Sequence, residues 1–180
     1  MICYRHADPR LPFLAETDAQ PAARWHGAGE GPIQYLSDTP DGAWAELLRH
    51  EEIRSAEDLA EVRRALWAVE VPDGEAWEAW EEPRLPPATL AGGPGSYPAC
   101  REEARRIRAG GAAGLAAPSA ALRPGEAGGW RVDGGLVPGE PRDARTIALF
   151  GRRPDLRGWA ATAAGRPRED LLPRVRHLGR

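Results

Sequence analysis

Hydrophobic and polar positions alternate along several stretches of the chain and follow a helical period along others. Ile2 and Tyr4 alternate with Cys3 and Arg5, and residues 32–37 place Ile33, Tyr35 and Ser37 on one face. Trp67, Val69 and Val71 repeat the two-residue spacing, which predicts strands over 1–6, 32–37 and the stretch around 67–71. A firm strand is predicted over 145–150 (Arg-Thr-Ile-Ala-Leu-Phe), and a short one of small residues over 112–117. Thr39-Pro40-Asp41 reads as an N-cap, a proline at the first helical position and an acid in the first turn. On the helix it opens, Ala43, Trp44, Ala45, Leu47 and Leu48 fill one apolar arc, with Glu46, Arg49 and His50 on the other. Ser55-Ala56-Glu57-Asp58 resembles a capping box and predicts a second helix to about Arg64; a third is expected over 99–108. Pro- and Gly-rich residues 83–98 predict a long loop, and the last thirty residues a terminal helix or a loose tail. Strands and helices intermingle without a regular βαβ rhythm, so the expected class is α+β.

At 180 residues the chain fits one domain with a real core. A formal net charge of −3 argues against a strongly basic nucleic-acid binder. All 24 basic residues are arginine, so no lysine can form a Schiff base and any grip on phosphate falls to guanidinium groups. The opening residues Met1 to His6 contain no apolar leader segment, and no later run approaches membrane length. Cys3 and Cys100 form no CxxC pair, and four scattered histidines lack metal-ligand spacing. A soluble cytoplasmic protein without a metal or disulfide is expected.

Arg24, Tyr35 and Glu46 stand eleven positions apart. They fall in turn on a loop rich in glycine (Gly27, Gly29, Gly31), on a predicted strand and on a predicted helix. A cation, an aromatic ring and a carboxylate in one cleft would grip phosphate, stack on a flat ring and stabilise a developing positive charge. Breaking an N-glycosidic bond in a dinucleotide needs those three things. Each residue alone also has an ordinary structural reading. Arg24 reads as a surface arginine, Tyr35 as a core tyrosine and Glu46 as a solvated helical glutamate, with His50 pairing to it one turn on. Arg5 reads as an edge-strand cation and Ser119 as a turn residue after Pro118. Trp44, Trp67 and Trp130 read as core.

Five short segments arrive in order: Tyr4-Arg5, Arg24-Trp25, Tyr35-Leu36-Ser37, Ala45-Glu46 and Ala117-Pro118-Ser119-Ala120. In these the chain resembles the RES-domain family, named for an arginine, a glutamate and a serine, over roughly residues 1–150. The resemblance implies a compact ADP-ribosyltransferase-like α+β fold, with a sheet core and flanking helices. It further implies an NAD-degrading toxin of a toxin–antitoxin pair, whose partner would be a helix-turn-helix antitoxin. In that reading residues 1–150 form the catalytic domain, and arginine-rich residues 151–180 pack on it or trail from it. Arg5 and Arg24 would hold the phosphates of NAD and Tyr35 would stack on a ring. Glu46 would stabilise the oxocarbenium ion and activate water or phosphate, and Ser119 would contact the leaving nicotinamide or orient Glu46. Two alternatives stay open: an ADP-ribosyltransferase acting on a protein or small molecule, and a catalytically inactive binding module. The acidic segment with Trp77 and Trp80, or the C-terminal arginines, would supply a partner surface.

Overall fold

The computed structural model describes residues 1–14, 16–72 and 80–178. The strands are β1 (Ile2–Ala7), β2 (Ile33–Ser37), β3 (Arg64–Glu70), β4 (Trp80–Glu81) and β5 (Gly114–Pro118), then β6 (Trp130–Val132), β7 (Leu136–Pro138), β8 (Arg145–Phe150) and β9 (Arg157–Gly165). The helices are α1 (Pro40–His50), α2 (Ala56–Ala60), α3 (Pro87–Ala91) and α4 (Tyr97–Ala109), with 3₁₀ turns at Pro94–Ser96 and Glu169–Arg174. Seven strands form one sheet in the order β4-β5-β8-β2-β1-β3-β9, antiparallel at every rung except β4–β5. The fold is α+β, with a large, mostly antiparallel sheet. Among the described residues no helix is long and apolar enough to cross a membrane.

Strand alternation divides the core. On one face Tyr4 and Leu66 meet the apolar arc of α1, together with Leu59 of α2. Further along the same face Ile33, Leu115, Ala117 and Ala148 pack on Cys100, Ala104 and Ile107 of α4. The opposite face carries Cys3, Leu36, Val69, Ile147 and Leu149, covered by Phe13, Leu14 and Leu156 rather than by helices. Cys3 and Cys100 are buried free thiols, one in the core of each face.

The sheet is discontinuous at one rung. β1 pairs with β3 along its whole length, and β2 with β8 along its whole length. Between β1 and β2 the register holds only Tyr4 opposite Ser37. The C-terminal half of β1 and the N-terminal half of β2 therefore diverge, and the sheet opens between His6 and Tyr35. α1 starts directly after β2, because the Thr39 hydroxyl accepts the Gly42 N–H at 3.0 Å and Pro40 occupies the first turn. That tight link hangs Glu46 above the opening.

Several expectations need correction. The second helix stops at Ala60, and residues to Arg64 turn into β3, because a full-length ladder with β1 outweighs the local helical preference. Residues 83–98 hold α3, a 3₁₀ turn and the start of α4, with Pro87 and Pro94 each opening a helical turn. Residues 157–165 form neither helix nor tail but the edge strand β9 on β3, so the sheet extends past residue 150. Trp44 is buried and Trp67 packs in the second core, but Trp130 is 56% exposed. It sits on the β6–β7 hairpin, which makes a sheet of its own. The C-terminal arginines are largely engaged at home: Arg152 on Asp18, Arg153 on Asp155, Arg168 and Arg174 on Asp170. Trp77, Glu75 and Glu78 lie outside the described residues; Glu81 and Glu82 pair with Arg106 and Arg145.

Gly42 sets the closeness of the β2–α1 link. A Cβ there would lie 2.2 Å from the Ser37 hydroxyl oxygen and 3.2 Å from the Ala144 methyl. Gly42→Ala should therefore destabilise the protein by about 1–3 kcal/mol, despite alanine's better helix propensity. The urea midpoint measures this, and an unchanged or raised midpoint would show that the link tolerates a wider turn.

Candidate active site

The opening between β1 and β2 continues into a cleft of about 230 Å³, roofed by α1 on one side and by the α3–α4 segment on the other. All three tyrosines of the chain, Tyr4, Tyr35 and Tyr97, line it. Glu46 is the only carboxylate among its described lining residues, and His6, His50 and Thr146 lie beside it.

Glu46 is 24% exposed, on the second turn of α1. Its Oε1 accepts from the Thr146 hydroxyl at 3.3 Å, and its Oε2 lies 3.5 Å from His50 Nε2, the pairing expected one turn on. Burial by itself would raise the pKa of Glu46. The His50 hydrogen bond and the positive charges of Arg49 and Arg24 outweigh it, and the net shift is downward. The carboxylate is thus held ionised in a partly desolvated place.

Tyr35 uses its hydroxyl within the protein. Its oxygen accepts from the Trp25 N–H at 2.9 Å and lies 3.2 Å from His26 Nδ1, and burial pushes the phenol's pKa up. These contacts fasten the 23–26 segment against β2, and Tyr35 lines the cleft.

The arginines behave differently from the expectation. Arg24 lines the cleft, but its Nη2 donates to the Gly92 carbonyl at 2.7 Å, and its Nη1 to Ser96 Oγ at 3.3 Å and the Thr89 carbonyl at 3.4 Å. Its guanidinium lies 4.7 Å from the centroid of the Tyr97 ring. Arg24 therefore clamps the α3–α4 segment and fixes Tyr97 over the cleft. The glycine turn after it is not among the cleft's lining residues. It is tied to α4, where Arg105 pairs with Glu30 at 2.8 Å and Arg108 donates to the Glu30 carbonyl at 2.7 Å. Arg5 leaves β1 on the face of Cys3, and its Nη1 donates to Gln34 Oε1 at 2.9 Å across the split. It floors the cleft from beneath, and burial lowers its pKa.

Ser119 stands apart. Its hydroxyl oxygen accepts the N–H groups of Ala121 at 3.2 Å and Leu122 at 3.0 Å, and the side chain is not among the cleft-lining groups. It caps the turn that presents its neighbours Pro118 and Ala120 to the cleft.

Arg49 is also displaced from expectation. It lies on the arc read as polar, yet is 2% exposed. It donates to the carbonyls of Ala120, Arg176 (2.9 Å), Ala91 (3.1 Å) and Gly92 (2.7 Å). Spacing alone cannot separate a guanidinium meeting carbonyls from one meeting water. Tyr97 and Thr146 also escaped the sequence reading, the first within a stretch read as loop and the second as one position of a plain strand. His6 carried the only usable signal, a titratable ring alternating onto the face of Tyr4.

Among the described residues no cluster of three His, Cys, Asp or Glu side chains is placed to hold a metal. The family model described as RES domain matches residues 2–166. The chain belongs to the RES-domain family. No curated protein matches it. RES-domain membership brings an NAD-related, toxin-type activity at the level of the family. The α+β sheet, with its split and the carboxylate of Glu46 in the cleft, is the frame in which this RES domain would perform it.

His6 gives the cleft a measurable acid limit. Burial first, then the charges of Arg5 and Arg64, push its pKa down to about 4 from 6.5, and its Nδ1 has no hydrogen-bond partner among the described residues. The folded state holds His6 neutral, while the unfolded chain takes up a proton below about pH 6.5. Its contribution is therefore complete above that pH and is lost as pH falls toward about 4. His6→Gln should flatten the dependence of the urea midpoint on pH between 6.5 and 4. An unchanged slope would place the titrating group elsewhere.

Proposed function

We propose that this RES-domain protein cleaves the bond between nicotinamide and ribose in NAD. The observation that carries the reading is the position of Glu46: the cleft's sole described carboxylate, kept ionised, among three tyrosine rings. The nicotinamide–ribose bond breaks with its electron pair passing to the pyridinium nitrogen, which leaves as neutral nicotinamide and needs no proton. The ribose is left as an oxocarbenium-like cation. A fixed anion beside that carbon stabilises the charge as it develops, in a site where partial desolvation strengthens the effect. The same carboxylate then takes the proton of an attacking water, or of phosphate, as the new bond to the ribose carbon forms. The tyrosines supply flat apolar walls for nicotinamide, and Tyr97 is held in place by Arg24.

Ser119 acts in this scheme through position, by fixing the turn beside Pro118, rather than by touching the leaving group. Draining NAD would make the protein a toxin acting in the cytoplasm, and the family context makes a helix-turn-helix antitoxin its expected partner. Transfer of ADP-ribose to a protein or small molecule uses the same first step and differs only in what enters the cleft second.

Glu46→Gln removes the charge and preserves shape. Turnover should fall on the order of a hundredfold or more, with NAD affinity and melting temperature little changed. Arg24→Ala should instead lower the melting temperature, because the Thr89 and Gly92 carbonyls lose a donor. The assay follows NAD loss and nicotinamide release by the purified protein, with mass spectrometry distinguishing free ADP-ribose, its phosphate and a modified acceptor. Near-native turnover in Glu46→Gln would remove Glu46 from the chemistry. A wild-type protein that binds NAD without consuming it would be a binding module.

A further inference from the structure

A second cavity of about 250 Å³ lies beyond the cleft, and Leu90 and Pro118 line both. Its apolar walls come from Pro87, Leu90, Leu122 and Pro124, and its charged lining from Arg123, Arg176 and Asp143. We propose that this cavity is the subsite for a nucleoside monophosphate group, the adenylate half of the dinucleotide, with Arg123 as its phosphate-binding residue. The proposal rests on the NAD reading above and says where the non-reacting half of the molecule goes.

Two observations carry it. Arg5 and Arg24, the guanidiniums expected to hold the phosphates, are engaged with Gln34 and with main-chain carbonyls. Arg49 likewise donates to carbonyls, and Arg176 donates to those of Ser119, Ala120 (3.2 Å) and Leu122 (2.7 Å). Arg123, by contrast, is exposed and its side chain makes no hydrogen bond or ion pair with the described residues. It stands at the edge of a cavity whose other cation is Arg176. The one acid there, Asp143, accepts the Gly125 N–H at 2.6 Å and keeps its charge, but the two guanidiniums outnumber it. A free fork of N–H donors beside a second guanidinium suits the anionic oxygens of a phosphoryl group.

The second observation is the character of the walls. A bare phosphate is small and strongly hydrated and gains nothing from proline and leucine surfaces. A purine attached to that phosphate covers them, and flat contact with proline rings suits its faces. The shared Leu90 and Pro118 wall then lies between the two ends of one ligand, nicotinamide riboside in the cleft and adenylate beyond it.

The test is a direct binding measurement with AMP, which requires no turnover. Calorimetric titration should show AMP binding to the wild-type protein and roughly tenfold weaker binding to Arg123→Ala, partly restored in Arg123→Lys. Arg152→Ala, which removes another exposed charge, one paired to Asp18, should leave AMP affinity as it was. Inorganic phosphate should compete far more weakly than AMP. The proposal is overturned if AMP fails to bind at millimolar concentration, if Arg123→Ala binds it as well as wild type, or if phosphate competes equally. A protein that binds AMP through Arg123 but leaves NAD intact would keep the subsite and remove the catalytic reading. Cleavage of NAD with AMP affinity insensitive to Arg123 would do the reverse.

Discussion

Capture of main-chain carbonyls by buried arginine is the interaction on which the rest of this structure depends. Arg49 and Arg24 both donate to the Gly92 carbonyl, and Arg49 and Arg176 both donate to that of Ala120. Three side chains thereby join the α3–α4 segment, the turn after β5 and the C-terminal 3₁₀ region behind one helix. A carbonyl satisfies a guanidinium's N–H groups without cancelling its charge, whereas a carboxylate would do both. The positive field therefore remains, and Glu46 is a carboxylate that feels it. One arrangement supplies the packing behind the cleft, the ionised state of its carboxylate and an attraction for anionic ligands. Burying charge is expensive, and here the expense is offset by several hydrogen bonds from each guanidinium to carbonyl oxygens.

Much of the fold was legible in the chain because local chemistry and tertiary need agree there. Thr39-Pro40 begins α1 where the capping rule places it, Ser55 caps α2, and the run 145–150 is β8 from end to end. Legibility failed where long-range pairing decided the outcome. Nothing in Gly-Trp-Ala-Ala-Thr-Ala-Ala-Gly announces β9, whose strand identity comes from β3 beside it. α3 is five residues within a proline- and glycine-rich stretch and depends on Leu90 reaching the core.

The candidate site divides in the same way. Glu46 and Tyr35 could be placed from helix phase and strand alternation, because those periodicities fix direction. An arginine's direction is not fixed by period: four rotatable bonds carry the guanidinium to whatever acceptor the fold provides. Arg24 lies where its spacing suggested and yet holds protein rather than leaving all its donors to a ligand. Ser119 lies beside the cleft, with its hydroxyl turned to backbone. Spacing found the neighbourhood of these residues, and hydrogen-bond bookkeeping was needed to find their duties.

The reach of the Arg49 bonds has a consequence in time. Its acceptors include a carbonyl 127 residues further along the chain. Contacts of such separation close late, after the local helices and hairpins have formed. A growing chain emerging from the ribosome would present Glu46, Tyr35 and all the tyrosine walls long before residue 176 is available to lock them. The cleft would thus be assembled only after synthesis has passed its last structural tie. Whatever chemistry the cleft performs would then begin only once residue 176 has been made and has folded back onto Arg49.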